Sequence, residues 1–240
     1  MDHDNDTLAY LPKITRNWTI SDWKADTNYA MAIAGSRFQG KSTFLEYMWR
    51  ECWEGIFDMI VLFTDNPQAE AYDFLSEEER ELVFPEFNSA LLKEFDYFQN
   101  STKNLLKVLY IFDDCSMHNK NNDMLNQLYL RGRNINSSIV FSTQYHLNFS
   151  TAARANFDFL VLFDLHGNET REKVVKVFLK NEIPINSPIR MNKSQKEELL
   201  IKWFEKNTSD HQMIVMNMRD KVNKLSKFKT PLSVVRKNKK

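Results

Sequence analysis

The sequence predicts an α/β domain built on a mostly parallel sheet flanked by helices, and three observations carry that expectation. Short runs rich in β-branched and aromatic residues alternate with stretches of helical periodicity, the pattern of strands joined by helical crossovers. The segment Gly35-Ser36-Arg37-Phe38-Gln39-Gly40-Lys41-Ser42 fits the phosphate-loop pattern GxxxxGK[ST] and lies between an apolar run and a helical stretch. A second apolar run, Val108-Leu109-Tyr110-Ile111-Phe112, passes straight into Asp113-Asp114. In an open parallel sheet the carboxyl ends of the strands line one crevice, so the loop and the paired acids are expected side by side.

In chain order, strands are expected over residues 29–34, 59–63, 106–112, 138–142 and 159–163, each a short apolar run bounded by polar or turn residues. Helices are expected over 43–53, 76–83, 90–100, 122–131 and 170–179. Ser187-Pro188 and Asn192 then introduce a helix at 194–207, and 213–216 supplies a late strand. Residues 1–28 read as an N-terminal segment, 29–218 as the domain and 219–240 as a basic tail. A strand lying between the phosphate-loop strand and the acid strand in sequence, and set beside them in the sheet, is the arrangement expected of mechanical ATPases. Small-molecule kinases usually lack it.

A chain of 240 residues suits one such domain with additions. With 42% hydrophobic and 27% charged residues it has a globular composition, and its longest apolar runs fall far short of the roughly 20 residues that span a bilayer. Asp2, Asp4 and Asp6 stand where a signal peptide carries basic and apolar regions, so a reducing, intracellular setting is expected. Cys52 and Cys115 lack metal-ligand spacing, as do His3, His118, His146, His166 and His211, so any metal is expected to arrive with a nucleotide.

The 32 basic and 32 acidic residues balance, so overall charge does not announce a nucleic-acid partner. Their distribution is uneven: from Arg219 onward Lys and Arg dominate and Asp220 is the single acid, whereas Asp65 to Asp96 is acidic. The tail reads either as a solvated end or as a binder of phosphate backbone. Trp18 and Trp23 read either as aromatic pins onto the core or as stacking partners for a base, and their spacing does not decide between the two.

The motifs assign candidate chemistry. Gly35, Ser36, Arg37, Phe38, Gln39, Gly40 and Thr43 belong to the cradle whose backbone N–H groups turn onto phosphates, Lys41 neutralises the β/γ charge, and the Ser42 hydroxyl holds Mg²⁺. Asp113 is placed to hold Mg²⁺ through water, and Asp114 to polarise an attacking water. Gln144, at the tip of the next strand, reads as a γ-phosphate sensor or as a plain strand end. Arg133, in Arg131-Gly132-Arg133, and Arg154 are candidates to stabilise charge on a transferring phosphoryl group.

With these landmarks in order, the chain resembles the viral genome-packaging ATPases of the FtsK/HerA superfamily, of the type found in poxviruses, other large DNA viruses and virophages. The matching segments are AGSRFQGKS, LYIFDD, LYLRGRNINSSIVFSTQ and STAARANFDFLVLF, with HQMIVMNM resembling the late strand. Family proteins commonly carry Gly-Arg-His where this chain has Gly132-Arg133-Asn134. The resemblance implies a P-loop NTPase with a RecA-like (ASCE) core that binds ATP and Mg²⁺. It also implies a homo-oligomeric ring around double-stranded DNA, gripped without regard to sequence, and partners at a capsid or portal vertex. Lys41, Ser42, Asp113, Asp114 and Gln144 would line a subunit's own nucleotide, and Arg154 or Arg133 would reach a neighbour's. Residues 118–123 and 66–71 are the candidate DNA-facing loops. The host cytoplasm, a viral factory or the virion is the implied location. The alternatives are another nucleic-acid ATPase, such as a helicase or conjugation-type DNA pump, or a small-molecule kinase. The strand-end acids and Gln144 disfavour the kinase.

Overall fold

Apolar runs with no polar face become the centre of a sheet. In the computed structural model, which describes residues 8–24, 28–115, 127–128, 130–144, 154–180, 183–186, 191–220 and 224–231, eight strands form one sheet. They are β1 (Ala30–Ala34), β2 (Met59–Thr64), β3 (Val83–Phe84), β4 (Val108–Asp113), β5 (Ser137–Thr143), β6 (Phe159–Leu162), β7 (Gln212–Asn217) and β8 (Leu225–Lys229). Their order is β3-β2-β4-β5-β1-β6-β7-β8. The pairs from β3 to β6 are parallel, and β7 and β8 add an antiparallel margin. The expected α/β class with a mostly parallel sheet is what forms.

Strand insertion differs from the sequence expectation. β2, which lies between the loop strand and the acid strand in sequence, is on the outer side of β4. The strand inserted between β1 and β4 in space is β5, which comes after both in sequence. β5 pairs in parallel with both β4 and β1, so Gln144 leaves the sheet directly between the loop and the acids.

Alternation along the strands divides the core into two layers. Ala30, Ala32 and Ala34 of β1 face one cluster, and Met31 and Ile33 face the other. On the first face, register aligns Phe63, Phe112 and Phe141 across β2, β4 and β5, with ring centroids 5.2 and 4.5 Å apart and nearly parallel planes. The second face holds Trp18 and Trp23, each 4% exposed, whose rings meet Phe159, Phe44 and Phe228. Both tryptophans are core residues and have no face free to stack on a base.

Helices of the described residues include α1 (Ile20–Lys24), α2 (Lys41–Met48), α3 (Glu77–Arg80), α4 (Ser89–Ser101), α5 (Asn168–Val174) and α6 (Lys193–Thr208). The helix expected over 43–53 starts two residues earlier and ends in a π turn at Trp49–Trp53. The helix expected over 76–83 opens with a Ser76/Glu79 capping box but stops at Arg80, because Leu82 and Val83 turn into the sheet beside Leu62. Most of the helix expected over 122–131 lies outside the described residues. α6 is capped by Asn192 and Gln195 and buries Leu199, Leu200, Trp203 and Phe204.

Part of the stretch read as a basic tail is β8. Its Ser226 and Phe228 are buried while Lys229 is exposed, an alternation that lets a lysine-rich segment serve as a sheet margin. The N-terminal segment closes over this strand: Trp18 donates its backbone N–H to the Lys227 carbonyl at 2.8 Å, and Lys227 donates to the Arg16 carbonyl at 3.0 Å. At the opposite margin β3 is two residues long.

Candidate active site

The phosphate loop is shaped by two left-handed residues and one close approach. Phe38 (φ 62) and Gly40 (φ 100) turn the chain so that α2 begins at Lys41 with its first N–H groups facing the loop. At Gly35 a Cβ would lie 2.6 Å from Cβ of Phe163, and both backbones are fixed in adjacent strand ends, so glycine is required there. The loop is tied to its neighbours through its backbone: Gly35 N–H donates to the Thr143 carbonyl at 3.2 Å, and Ser36 N–H to the Asp164 carbonyl at 2.9 Å.

Lys41 is 6% exposed, and its ammonium donates to the carbonyls of Gly35 (2.9 Å) and Ser36 (3.3 Å). Burial pulls this ammonium below the usual lysine range; the Asp114 and Asp113 carboxylates oppose the shift and Arg37 adds to it. Ser42 and Thr43, both half-buried, come next on the first turn of α2.

β4 delivers Asp113 to the same edge, 3% exposed. Its Oδ2 accepts from the Tyr72 hydroxyl at 2.7 Å, and that hydroxyl is 3.0 Å from the Thr64 hydroxyl at the end of β2. Oδ1 is buried with no hydrogen bond of good geometry, and the hydroxyl of Ser142, its register partner on β5, lies beside the carboxylate. Burial pushes the Asp113 carboxyl up from the usual carboxylate range, against the pull of the neighbouring Ser142 and Tyr72 hydroxyls and the Lys41 ammonium. A desolvated carboxylate with one open oxygen suits a divalent cation. Among the described residues no group of three or more His, Cys, Asp or Glu is placed to hold a metal ion. A cation at Asp113 would complete its shell from Ser42, phosphate oxygens and water.

Asp114 comes next in a left-handed conformation (φ 48), its N–H donating to the Ser142 carbonyl at 2.9 Å. Its Oδ2 accepts from Nε2 of Gln144, and Oε1 of Gln144 accepts from Nε of Arg37 at 2.9 Å. One chain of contacts therefore joins the phosphate loop to the second acid through the strand-end glutamine.

The sequence-assigned loop residues, both acids and Gln144 thus meet at one edge. The backbones of the two arginines stand elsewhere in the fold. Arg154 lies in a helical turn ahead of β6, and the Gly132–Ile135 turn that carries Arg133 lies ahead of β5. Both positions precede the amino ends of strands whose carboxyl ends border the loop. The side chain of Arg133 is outside the described residues. Sequence reasoning missed Tyr72, and also Arg171, whose guanidinium holds Asp164 beside the loop at 3.2 Å. Tyr72 is 41 residues from Asp113, and no local pattern marks such a pairing.

A family model described as "Poxvirus A32 protein" matches residues 21–232. No curated protein matches the chain. Among solved structures, the chain is similar to the genome packaging NTPase B204 from Sulfolobus turreted icosahedral virus 2 in complex with ATP-gammaS. The identity is 11%, the TM-score 0.58, and the match covers 84% of this chain and 97% of that one. A second structure, described as B204, the DNA-packaging ATPase from Sulfolobus Turreted Icosahedral Virus, gives 12% identity and a TM-score of 0.59 over 85% and 98% of the two chains. The pCW3 conjugation coupling protein TcpA, in its monomer form with ATPgS, gives 10% identity and a TM-score of 0.55 over 84% of this chain and 60% of that one. At these identities the likeness is one of fold.

Proposed function

The chain belongs to the poxvirus A32 protein family, and from that premise we propose that it is an ATPase that drives double-stranded viral DNA into a capsid. It hydrolyses ATP at the subunit interfaces of a homo-oligomeric ring. The observation that carries this reading is the buried Asp113 carboxylate, its Oδ1 without a hydrogen bond of good geometry, set beside Lys41 and one strand away from Gln144. B204, to which the fold is similar, is a DNA-packaging ATPase, and that agrees with the reading.

In this mechanism the loop's backbone N–H groups receive the phosphates, and Lys41 leaves the Gly35 and Ser36 carbonyls for β- and γ-phosphate oxygens. Ser42 and Asp113 would hold Mg²⁺, which when bound neutralises charge developing between the β- and γ-phosphates. Asp114 accepts the proton of the attacking water, and Gln144 orients that water against the γ-phosphate. Arg154 or Arg133 then supplies a guanidinium to the site of an adjacent copy. Their places at the amino ends of strands support action across an interface and not within one chain.

Coupling to DNA is read through the segment after β2. Residues 66–71 run into the Glu70–Tyr72 turn, and Tyr72 donates directly to the metal-facing acid, so a change at Asp113 has a short path to that loop. The other candidate loop, 118–123, lies outside the described residues. Contacts of the required kind bind phosphate without reading bases. Capsid or portal-vertex proteins complete the set of proposed partners, and the host cytoplasm, viral factory or virion is the proposed location.

ATP turnover is expected to rise severalfold on adding duplex DNA of unrelated sequences, with the stimulation fading as salt is raised. Phosphate release measured with several duplexes and with small-molecule acceptors checks this; stimulation by one metabolite and by no duplex would reject the packaging reading. Arg154→Ala is expected to bind ATP normally yet hydrolyse it roughly 10³-fold more slowly, with partial recovery when mixed with Lys41→Ala subunits. Absence of recovery at every mixing ratio would argue against catalysis across an interface by Arg154.

A further inference from the structure

Two histidines border the phosphate loop on the flank away from the acids. β1, which feeds the loop, has β5 and then β4 on one side and β6 and then β7 on the other. β6 leads out through Phe163 and Asp164 to His166, and His211 immediately precedes β7, which runs back antiparallel to β6. Both histidines therefore stand at the loop's edge of the sheet.

Their contacts converge on one loop residue. Nε2 of His166 is 3.3 Å from Nε2 of Gln39, and Nδ1 of His211 is 3.4 Å from the Gln39 carbonyl oxygen. The backbone that carries each ring is anchored. His166 N–H donates to Oγ of Ser36 at 2.6 Å, and Asp164 is held by Arg171 at 3.2 Å, which also pairs with Glu205 of α6 at 2.6 Å. Asp210 and His211 adopt left-handed backbone (φ 57 and 55), and Lys229 of β8 fixes that turn through Asp210 at 2.6 Å. Both rings remain exposed, the His166 side chain by 64%.

We propose that His166 and His211, converging on Gln39, form the subsite for the nucleotide's base and accept a purine by stacking on their imidazole faces. The proposal rests on the reading of the loop as a nucleoside triphosphate site. With the γ-phosphate held on the acid flank, the triphosphate runs along the loop toward β6, and the nucleoside emerges beside the histidines. An imidazole offers a flat aromatic face, which a two-ring purine covers more fully than a one-ring pyrimidine. The Gln39 side-chain amide adds a donor and an acceptor for a base edge.

The test separates base from phosphate by measuring ATP hydrolysis alongside competitive inhibition by inorganic tripolyphosphate, which has no base. The paired variant His166→Ala with His211→Ala is expected to raise KM for ATP roughly 5- to 100-fold, with kcat retained and the tripolyphosphate inhibition constant unchanged. The pair His166→Phe with His211→Phe is expected to restore KM, because the stacking faces return without the ring nitrogens. Wild type is expected to favour ATP and GTP over CTP and UTP, and the alanine pair to lose that preference. An unchanged KM for ATP, or parallel weakening of ATP and tripolyphosphate, would overturn the proposal. A wild-type protein that neither hydrolyses ATP nor binds tripolyphosphate would overturn the nucleotide reading itself and the base subsite with it.

Discussion

Lys41→Ala is expected to lower ATP turnover by at least about two to three orders of magnitude while the sheet and its packing survive. The ammonium is already desolvated and held by two loop carbonyls, so it meets an arriving triphosphate without the cost of stripping water at that moment. Its replacement leaves the β- and γ-phosphates facing backbone N–H groups alone. Because the ammonium's hydrogen bonds run to the loop's own carbonyls, thermal unfolding without nucleotide is expected to stay close to wild type. The shift in Tm on adding ATP is expected to shrink sharply. Steady-state phosphate release and thermal scans with and without nucleotide decide the matter, and turnover at the wild-type level would remove this loop as the site.

Asp113→Asn is expected to act in opposite directions on activity and stability. Turnover falls by roughly 10²-fold or more, since the amide lacks the charge that holds a divalent cation. Stability without nucleotide rises, because the wild-type carboxylate is buried and the Ser142 and Tyr72 hydroxyls beside it only partly offset the loss of its hydration. The amide removes a desolvated charge, keeps an acceptor for Tyr72 and offers a donor to Ser142. A gain of about 1 kcal/mol corresponds to about 2–4 °C in a chain of this size. A lower Tm together with retained turnover would show that Asp113 serves the fold and not the metal.

Much of this arrangement is legible in the residues themselves, and the reason is directional. An apolar strand that enters a parallel sheet must deliver the residues after it to the carboxyl edge, so Asp113, Asp114 and Gln144 are readable as neighbours of the loop without knowledge of the strand order. The order is a different matter. Whether β2 or β5 stands between β1 and β4 depends on which crossovers pack over which strands, and both strands are apolar enough for the place. β8 is hidden by composition, because its lysines lie on the outward side of an alternation only five residues long. The site's supports are hidden by distance: Tyr72 under Asp113, and Arg171 behind Asp164, come from segments whose own sequence carries no motif. The arginines are legible only as residue types, since both stand before strands whose far ends border the loop.

The two margins of the sheet constrain how copies of this chain can sit together. β3 offers only two residues of unpaired backbone, and on β8 both the N–H and the C=O of the middle residue, Lys227, are taken by Arg16 and Trp18. Neither margin presents a length of open ladder on which a second molecule's strand could grow. Copies crowded side by side are thus protected from zipping their sheets into one continuous ribbon. In a ring of the proposed kind, each copy would then keep the freedom to slide or rock against the next that a fused sheet would forbid.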